Sequence, residues 1–305
     1  MNHPSQVIVI AGASGLVGQA LSAALEQDGH AVRHLVRRPV RDADAEIEWQ
    51  PAEGRIDAEE LNGVDVVINL CGENIAEGRW NAAYKQRLRS SRIDSTSLLA
   101  RTIATLPHKP RVLCSASAIG FYGVRGEEPL DESSPPGDGF LADLCQDWER
   151  ANEPAWEAGI RIVQLRIGVV LSAEGGALKK LIGPFRAGLG GVLGSGKQFM
   201  SWIALADLVD AIRFVIDNDA IHGAVNVTAP NPATNWQFTK TLGKALGRPT
   251  LLPVPAFALR MLVGGQMADE MLLGGAKIYP HKLQEAGFMF SYSTIEAAVD
   301  AALER

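Results

Sequence analysis

Short apolar runs alternate with segments of helical periodicity along most of the chain. The runs are rich in β-branched residues, and several are apolar at consecutive positions, as in parallel strands covered by helices on both faces. The predicted strands are Val7–Ala11, Ala31–Val36, Ile47–Gln50, Val64–Leu70, Arg111–Ser115, Ile162–Leu171 and Ala224–Thr228. The predicted helices are Val17–Gln27, one within Arg79–Leu106, and Leu205–Asp217. This pattern predicts an α/β fold with a Rossmann-type, doubly wound parallel sheet.

The sequence changes in character after residue 172. The stretch Gly183–Gly191 reads as loop, and residues 235–305 are rich in helical patterns. We therefore predict a dinucleotide-binding domain at residues 1–172, to which residues 201–230 return. Residues 173–200 and 231–305 are predicted to form a small, mostly helical C-terminal cap over the carboxyl ends of the strands.

Composition narrows the class of protein. The 305 residues carry 29 Lys and Arg against 35 Asp and Glu, a net charge of −6, which argues against nucleic acid or an anionic membrane as a partner. Three cysteines form neither a disulfide framework nor a zinc-binding spacing. The N-terminal sequence lacks the basic and then apolar pattern of a signal peptide, and no apolar stretch is long enough to span a bilayer. We expect a cytoplasmic protein that acts on a small molecule.

A glycine-rich segment follows the first predicted strand directly. It reads Gly12-Ala13-Ser14-Gly15-Leu16-Val17-Gly18 and then enters a helix. The first glycine allows a tight turn, the second lets the backbone approach a pyrophosphate, and the third permits close packing of helix and strand. The start of the helix offers free N–H groups to phosphates. A simple turn is the alternative, but the position at the first strand–helix junction favours a dinucleotide site that includes Ser14, Leu16 and Val17.

The end of the second strand predicts which cofactor is bound. An acidic residue there would bind the ribose hydroxyl of NAD, whereas this chain has Arg37 and Arg38 and no acid before Asp42. Two guanidinium groups can pair with a 2′-phosphate, so we predict NADP(H). The alternative is a solvated pair of surface arginines. A near match to a Walker A loop at residues 191–198 ends in Gln198, which lacks the hydroxyl group that binds Mg²⁺, and is set aside.

Further segments extend the pattern to the whole chain. They are Val66–Ile75, Ser115–Gly123, Arg166–Ser172, Ser201–Ile203, Asp207–Val209, Pro253–Pro255 and Gly287–Phe288. With the glycine loop, they resemble the extended and atypical short-chain dehydrogenase/reductases. The closest resemblance is to the NAD(P)-dependent epimerase/dehydratase-like subgroup known as epimerase family proteins, described in places as cell-division inhibitor homologues. The resemblance implies that Leu70, Gly72 and Glu73 lie beside the adenine ribose and that Ser115 lies near the nicotinamide.

The resemblance breaks down at the catalytic pair. Catalysis in the superfamily rests on a serine and a Tyr-x-x-x-Lys motif, in which the lysine lowers the pKa of the tyrosine. None of the four tyrosines here is followed by lysine at that spacing, and a rough alignment places Phe140 and Leu144 in the two positions.

Three explanations stay open for the missing pair. The proton could be transferred by another group near the serine loop, for which Ser117 and Tyr122 are the candidates. Hydride transfer alone could suffice. The chain could instead bind NADP(H) without turnover, as a sensor or regulatory protein. The first two readings predict an oxidoreductase or an epimerase-like enzyme.

Other side chains have two interpretations each. Glu73 and Arg92 either line the cleft or form a surface ion pair. Trp202 and Phe185 form either an apolar wall for a substrate or a packing contact between domains. The carboxylates Asp143, Asp147 and Glu149 are interpreted as a solvated helix face, and no metal site is predicted.

Overall fold

The structure is a computed structural model, and it describes residues 5–304. The strands are β1 Val7–Ala11, β2 Ala31–Val36, β3 Glu46–Gln50, β4 Arg55–Ile56, β5 Val66–Asn69, β6 Val112–Ala118, β7 Pro129–Leu130, β8 Arg161–Ile167, β9 Val169–Leu171, β10 Phe199–Met200, β11 Trp202–Ala204, β12 Gly223–Val227, β13 Ala233–Thr234 and β14 Lys277–Ile278. The α-helices are α1 Leu16–Gln27, α2 Ala82–Ala104, α3 Phe140–Arg150, α4 Glu153–Glu157, α5 Gly176–Arg186, α6 Leu205–Asp217, α7 Asn235–Ala245, α8 Ala256–Val263, α9 Gly265–Met267, α10 His281–Glu285 and α11 Ile295–Leu303.

The central sheet has eight strands in the order β12-β8-β6-β5-β1-β2-β3-β4. All neighbours pair in parallel except β3 and β4. One face packs on α1 and α6 through residues such as Ile8 and Ile212, and the other packs on α2 through residues such as Val9 and Leu99. The predicted Rossmann-type fold is therefore confirmed.

One predicted strand is divided. The run Ile162–Leu171 was expected to be continuous, but β8 ends at Ile167 and β9 begins at Val169. A side chain at Gly168 would lie 2.9 Å from the carbonyl oxygen of Ser201. The backbone at Ser201 thus comes close to Gly168. From this point β9 leaves the central sheet and pairs in parallel with β11.

The prediction of a loop at Gly183–Gly191 was wrong in its first part. Helix α5 continues through Pro184 to Arg186, because Leu178 and Phe185 are buried in a cluster formed with the C-terminal helices. Tertiary packing thus holds a helix that contains a proline.

The C-terminal region is helix-rich, as predicted, and is also tied to the first part of the chain. Strand β14 pairs in parallel with β7, whereas β10 and β13 pair with each other within the predicted cap. The division into a domain at 1–172 and a cap stays an interpretation, and its limits at residues 1 and 305 lie outside the described residues. Among residues 5–304, no helix is both long and apolar enough to cross a membrane.

Candidate cofactor site and serine network

The glycine loop adopts a conformation that needs glycine at two positions. Gly12 has a φ of 84°, and a side chain there would lie 2.8 Å from the carbonyl carbon of Leu70. A side chain at Gly18 would lie 2.3 Å from the carbonyl oxygen of Gly12. Gly12 therefore allows the tight turn, and Gly18 allows the close packing of helix and strand, as the sequence pattern predicts.

Helix α1 begins inside this motif. Gly15 is its N-cap residue and provides no side-chain cap, so the first-turn amides of Leu16, Val17 and Gly18 remain available to bind an anion. Ser14 and Gly15 are exposed at the loop. The side chain of Leu16 lies against Gly175, in the segment that follows β9.

A cleft of about 1200 Å³ extends from this loop along the carboxyl ends of β1, β2 and β5. Eight of the predicted cofactor residues line it: Gly12, Ser14, Gly15, Arg37, Arg38, Leu70, Gly72 and Glu73. It is also lined by residues that sequence reasoning missed, namely His34, Glu46, Trp49, Gln50, Arg87, Ser90, Ser91, Asp94 and Ser95. The last four recur at helical spacing on α2, so they form a polar stripe on this helix. They were missed because the prediction of the helix rested on its apolar residues.

The two arginines that follow β2 have different surroundings. Arg38 forms a two-pronged ion pair with Glu46, with Nη1 2.8 Å from Oε2 and Nη2 2.5 Å from Oε1. These hydrogen bonds, together with one from the backbone N–H of Arg41, lower the pKa of Glu46 to about 2. Arg37 is exposed and forms no ion pair with any carboxylate among residues 5–304. Arg37 is therefore the guanidinium group whose charge is unopposed in the cleft.

Arg92 lies behind the cleft rather than in it. Its Nη2 donates to the carbonyl oxygen of Glu73, and its Nη1 donates to that of Leu88. Its guanidinium group lies over the ring of Trp148 and against Gly72, and burial lowers its pKa. Arg92 thus supports the backbone that forms the cleft wall. Glu73 pairs with Arg87, not with Arg92.

The two serines of β6 lie on one face of the strand but differ in their contacts. Ser115 is fully buried, and its hydroxyl group has no hydrogen-bond partner among the described residues. Ser117 is 3% exposed, and its Oγ donates to Oε1 of Glu149 over 2.7 Å. The proton of Ser117 is thus directed at a carboxylate, which leaves the lone pairs of Oγ for a ligand.

Glu149 does not belong to a solvated face, contrary to the prediction. Its side chain is 10% exposed and pairs with Arg166, with Nε 2.8 Å from Oε1 and Nη2 2.9 Å from Oε2. Burial lowers the pKa of Arg166, but the hydrogen bonds and the charge of Glu149 outweigh this and raise it overall. Asp143 and Asp147 lie on the same helix, and Asp147 forms ion pairs with Arg89 and Arg150.

Tyr122 belongs to the same buried network. Its hydroxyl group donates to Oδ1 of Asn226 over 2.7 Å and accepts from Nη1 of Arg166 over 2.9 Å. The side chain is fully buried, and burial raises its pKa. This placement argues against Tyr122 as the group that transfers a proton to a substrate and favours a role in holding Arg166.

The structure shows which face of α3 meets the serine loop. Phe140 and Leu144 pack with Tyr84 and Leu88 of α2 and so face away from the serine loop. The side chains that face the loop are Leu141 and Cys145, which lie against Gly120, followed one turn later by Glu149. One residue corresponds to about 100° of rotation in a helix, so Phe140 and its neighbour Leu141 lie on different faces of α3.

Burial decides the interpretation of Trp202 and Phe185 and also determines the state of the three cysteines. Trp202 is fully buried and Phe185 is 4% exposed, and both belong to the C-terminal apolar cluster, so they pack rather than line a site. Burial raises the pKa of the Cys71 thiol to about 11, and those of Cys114 and Cys145 to about 12. These thiols are therefore protonated at neutral pH and are poor nucleophiles.

Comparison with known proteins agrees with this geometry. The profile of the NAD dependent epimerase/dehydratase family matches residues 8–228. The chain belongs to this family. Residues 254–302 match a domain of unknown function, DUF1731. The family resemblance expected from the sequence motifs is thereby confirmed.

Three relatives show how far the similarity extends. An epimerase family protein of Mycobacterium bovis is 46% identical over 299 residues, which cover 98% of each chain. The crystal structure of human epimerase family protein SDR39U1 with NADPH is 34% identical with a TM-score of 0.89, over 98% of this chain and 99% of that chain. A nucleoside-diphosphate sugar epimerase from Corynebacterium glutamicum is 35% identical with a TM-score of 0.81, over 98% of this chain and 58% of that chain.

Proposed function

We propose that this member of the epimerase/dehydratase family is an NADP(H)-dependent oxidoreductase or epimerase-like enzyme that acts on a small molecule. The observation that carries the proposal is the continuous cleft from the glycine loop to Arg37. Its volume of about 1200 Å³ is ample for a dinucleotide, and the human relative was solved with NADPH. Free thiols at Cys71, Cys114 and Cys145 fit the reducing cytoplasm, which we propose as its location.

The residues of the cleft match the chemistry of the cofactor. The amide groups at the start of α1 would bind the pyrophosphate, and Arg37 would bind the 2′-phosphate. The backbone at Gly72 and Glu73, supported by Arg92, would lie beside the adenosine half. When bound, NADP(H) supplies or accepts the hydride.

The chain itself supplies a path for the proton. Ser117 Oγ can accept a proton from a substrate hydroxyl while it passes its own proton to Oε1 of Glu149 over 2.7 Å. Arg166 holds the carboxylate of Glu149 in place with two hydrogen bonds. Because the hydroxyl of Ser117 already donates to Glu149, the pair is set to act as a base toward an alcohol substrate. A carboxylate and a serine would thus do the work that the superfamily gives to tyrosine and lysine.

Calorimetric titration with NADPH and with NADH tests the cofactor assignment. We expect NADPH to bind more tightly, since only NADPH carries the 2′-phosphate that Arg37 can pair with. Tighter binding of NADH, or binding of neither, would refute the assignment.

Turnover distinguishes an enzyme from the alternative, a nonenzymatic NADP(H) sensor. The sensor reading is favoured by the near-complete burial of Ser117 and by the absence of a Tyr-x-x-x-Lys motif. The test is a panel of alcohols and sugar nucleotides with NADP⁺, and of carbonyl compounds with NADPH. Turnover that is lost in Ser117→Ala and Glu149→Gln, with NADPH binding intact, supports the enzyme. Tight NADPH binding without turnover on any compound supports the sensor.

A further inference from the structure

A second cavity lies in the C-terminal part of the molecule and shares no residue with the cofactor cleft. It is wide open to solvent and has a volume of about 530 Å³. Its walls come from β10, β14, the start of α7 and the segment that contains β13: Phe199, Asn231, Pro232, Thr234, Trp236, Gln237, Lys277 and Tyr279. No acidic residue is among them.

The single charge in this cavity is the ammonium group of Lys277. Its Nζ lies 5.3 Å from the ring centre of Phe199 and 5.9 Å from that of Tyr279. These aromatic faces hold the cation in place without neutralising it. Lys277 forms no ion pair or side-chain hydrogen bond with any residue among 5–304. The ammonium group is therefore free to bind an anion.

Two other side chains in the wall, Trp236 and Gln237, also present free groups to the cavity. The indole ring of Trp236 is 53% exposed, although large aromatic side chains are usually buried. The side-chain oxygen of Gln237 is occupied by the N–H and hydroxyl groups of Thr234, and its Nε2 donates to no residue among those described. An exposed indole face can bind a flat ring, and the free amide nitrogen of Gln237 is a donor for an anion in the cavity that Lys277 also lines.

The backbone that carries these side chains is firmly held. The N–H of Tyr279 donates to the carbonyl of Leu130, and the carbonyl of Tyr279 accepts from Nδ2 of Asn226. Asn226 in turn binds Tyr122, which contacts Arg166 in the serine network. The cavity wall and the serine network are thus joined by continuous hydrogen bonds.

We infer that this cavity is a binding site for a small molecule that carries an anionic group on a flat aromatic ring. The anion would pair with Lys277 and Gln237, and the ring would stack on Trp236. The site is separate from the cofactor cleft, so this ligand and NADP(H) can occupy the protein at the same time.

Phenyl phosphate is a suitable probe, and saturation-transfer NMR on the intact, NADPH-saturated protein measures its binding. Phenol and inorganic phosphate each carry half of the recognised chemistry. We expect each to bind at least ~10-fold more weakly than phenyl phosphate, because each forms only the stacking or only the charged contact.

Two variants and two matched controls locate the site. Lys277→Ala and Trp236→Ala should each weaken phenyl phosphate binding by roughly tenfold while leaving NADPH affinity unchanged. Lys244→Ala, which removes an exposed lysine from the same helix as Trp236, and Trp156→Ala, which removes another exposed indole, should change it less than about twofold.

Three results would overturn the inference. They are no saturation transfer to phenyl phosphate with or without NADPH, equal binding by wild type and both cavity variants, and binding to the NADPH-free protein that is lost once the protein is saturated with NADPH. The last would show that the probe occupies the cofactor cleft.

Discussion

The two ends of the candidate site differ in the state of their polar groups. In the cofactor cleft, the start of α1 and Arg37 have polar groups left free for a ligand. In the serine network, Ser117, Glu149, Arg166 and Tyr122 are buried and already bonded to one another. The first region is prepared to bind an anion, whereas the second is held together by its own hydrogen bonds.

This difference shows which region tolerates change. A free polar group in a solvated cleft costs little until a ligand arrives, so its substitution alters affinity more than folding. A buried ion pair is costly to break, because the remaining charge has no water to solvate it. We therefore expect variants of the serine network to lose stability and variants of the cleft to lose affinity.

The largest effect should come from Arg166→Met. It leaves the carboxylate of Glu149 buried without its partner, so the free energy of unfolding should fall by about 3–5 kcal/mol. Urea denaturation measures this loss. Arg150→Met is the control, because Arg150 forms an exposed ion pair worth less than about 1 kcal/mol. Equal losses in the two variants would contradict the comparison.

Gly18→Ala should have the next largest effect. The added methyl group would lie 2.3 Å from the carbonyl oxygen of Gly12, so the loop must shift at a cost of about 1–3 kcal/mol in stability. NADPH affinity should fall as well, because the amides at the start of α1 move with the loop. Gly265→Ala, at the exposed start of α9 with open space around it, should leave both quantities nearly unchanged.

Arg37→Ala should act on binding alone. Loss of a charged hydrogen bond to the 2′-phosphate is worth about 1.5–3 kcal/mol, so NADPH affinity should fall by roughly 10- to 150-fold. NADH affinity and thermal stability should stay the same. If NADPH and NADH were weakened equally, Arg37 would contact a part of the cofactor that both share.

Glu46→Gln should have the smallest effect, and in the opposite direction. Removal of the negative charge frees the charge of Arg38, while the amide can still accept one hydrogen bond from it, so NADPH should bind about two- to fivefold more tightly. Because Glu46 has a pKa lowered to about 2, its carboxylate is ionised at all pH values above that. The charge of Glu46 therefore does not change between about pH 5 and pH 8, and the gain should rise with pH only as the 2′-phosphate takes up its second negative charge, at about pH 6. The control is Glu48→Gln, because Glu48 is an exposed carboxylate on the same strand but outside the cleft. A loss of NADPH affinity in Glu46→Gln would show instead that Glu46 positions Arg38.

Much of the fold and the shape of the glycine loop was predictable, because the signals are local. The strand limits agree to within a few residues, and the glycine loop needs contacts only between neighbouring turns, as at Gly12 and Gly18. The ion pair of Arg38 with Glu46 joins the segment after β2 to the first residue of β3, and no sequence pattern indicates it. The bond of Ser117 to Glu149 spans 32 residues between a strand and a helix, and no periodicity indicates it.

The sequence by itself determined the order of strands and helices, the phosphate-binding turn and the absence of a Tyr-x-x-x-Lys motif, since each depends on residues close together in the chain. The tertiary structure decided which face of α3 meets the serine loop, that Glu149 is buried, and that Arg37 rather than Arg38 has a free charge. The physical reason is that burial and charge pairing depend on distances between elements. Those distances are set only when the helices pack on the sheet.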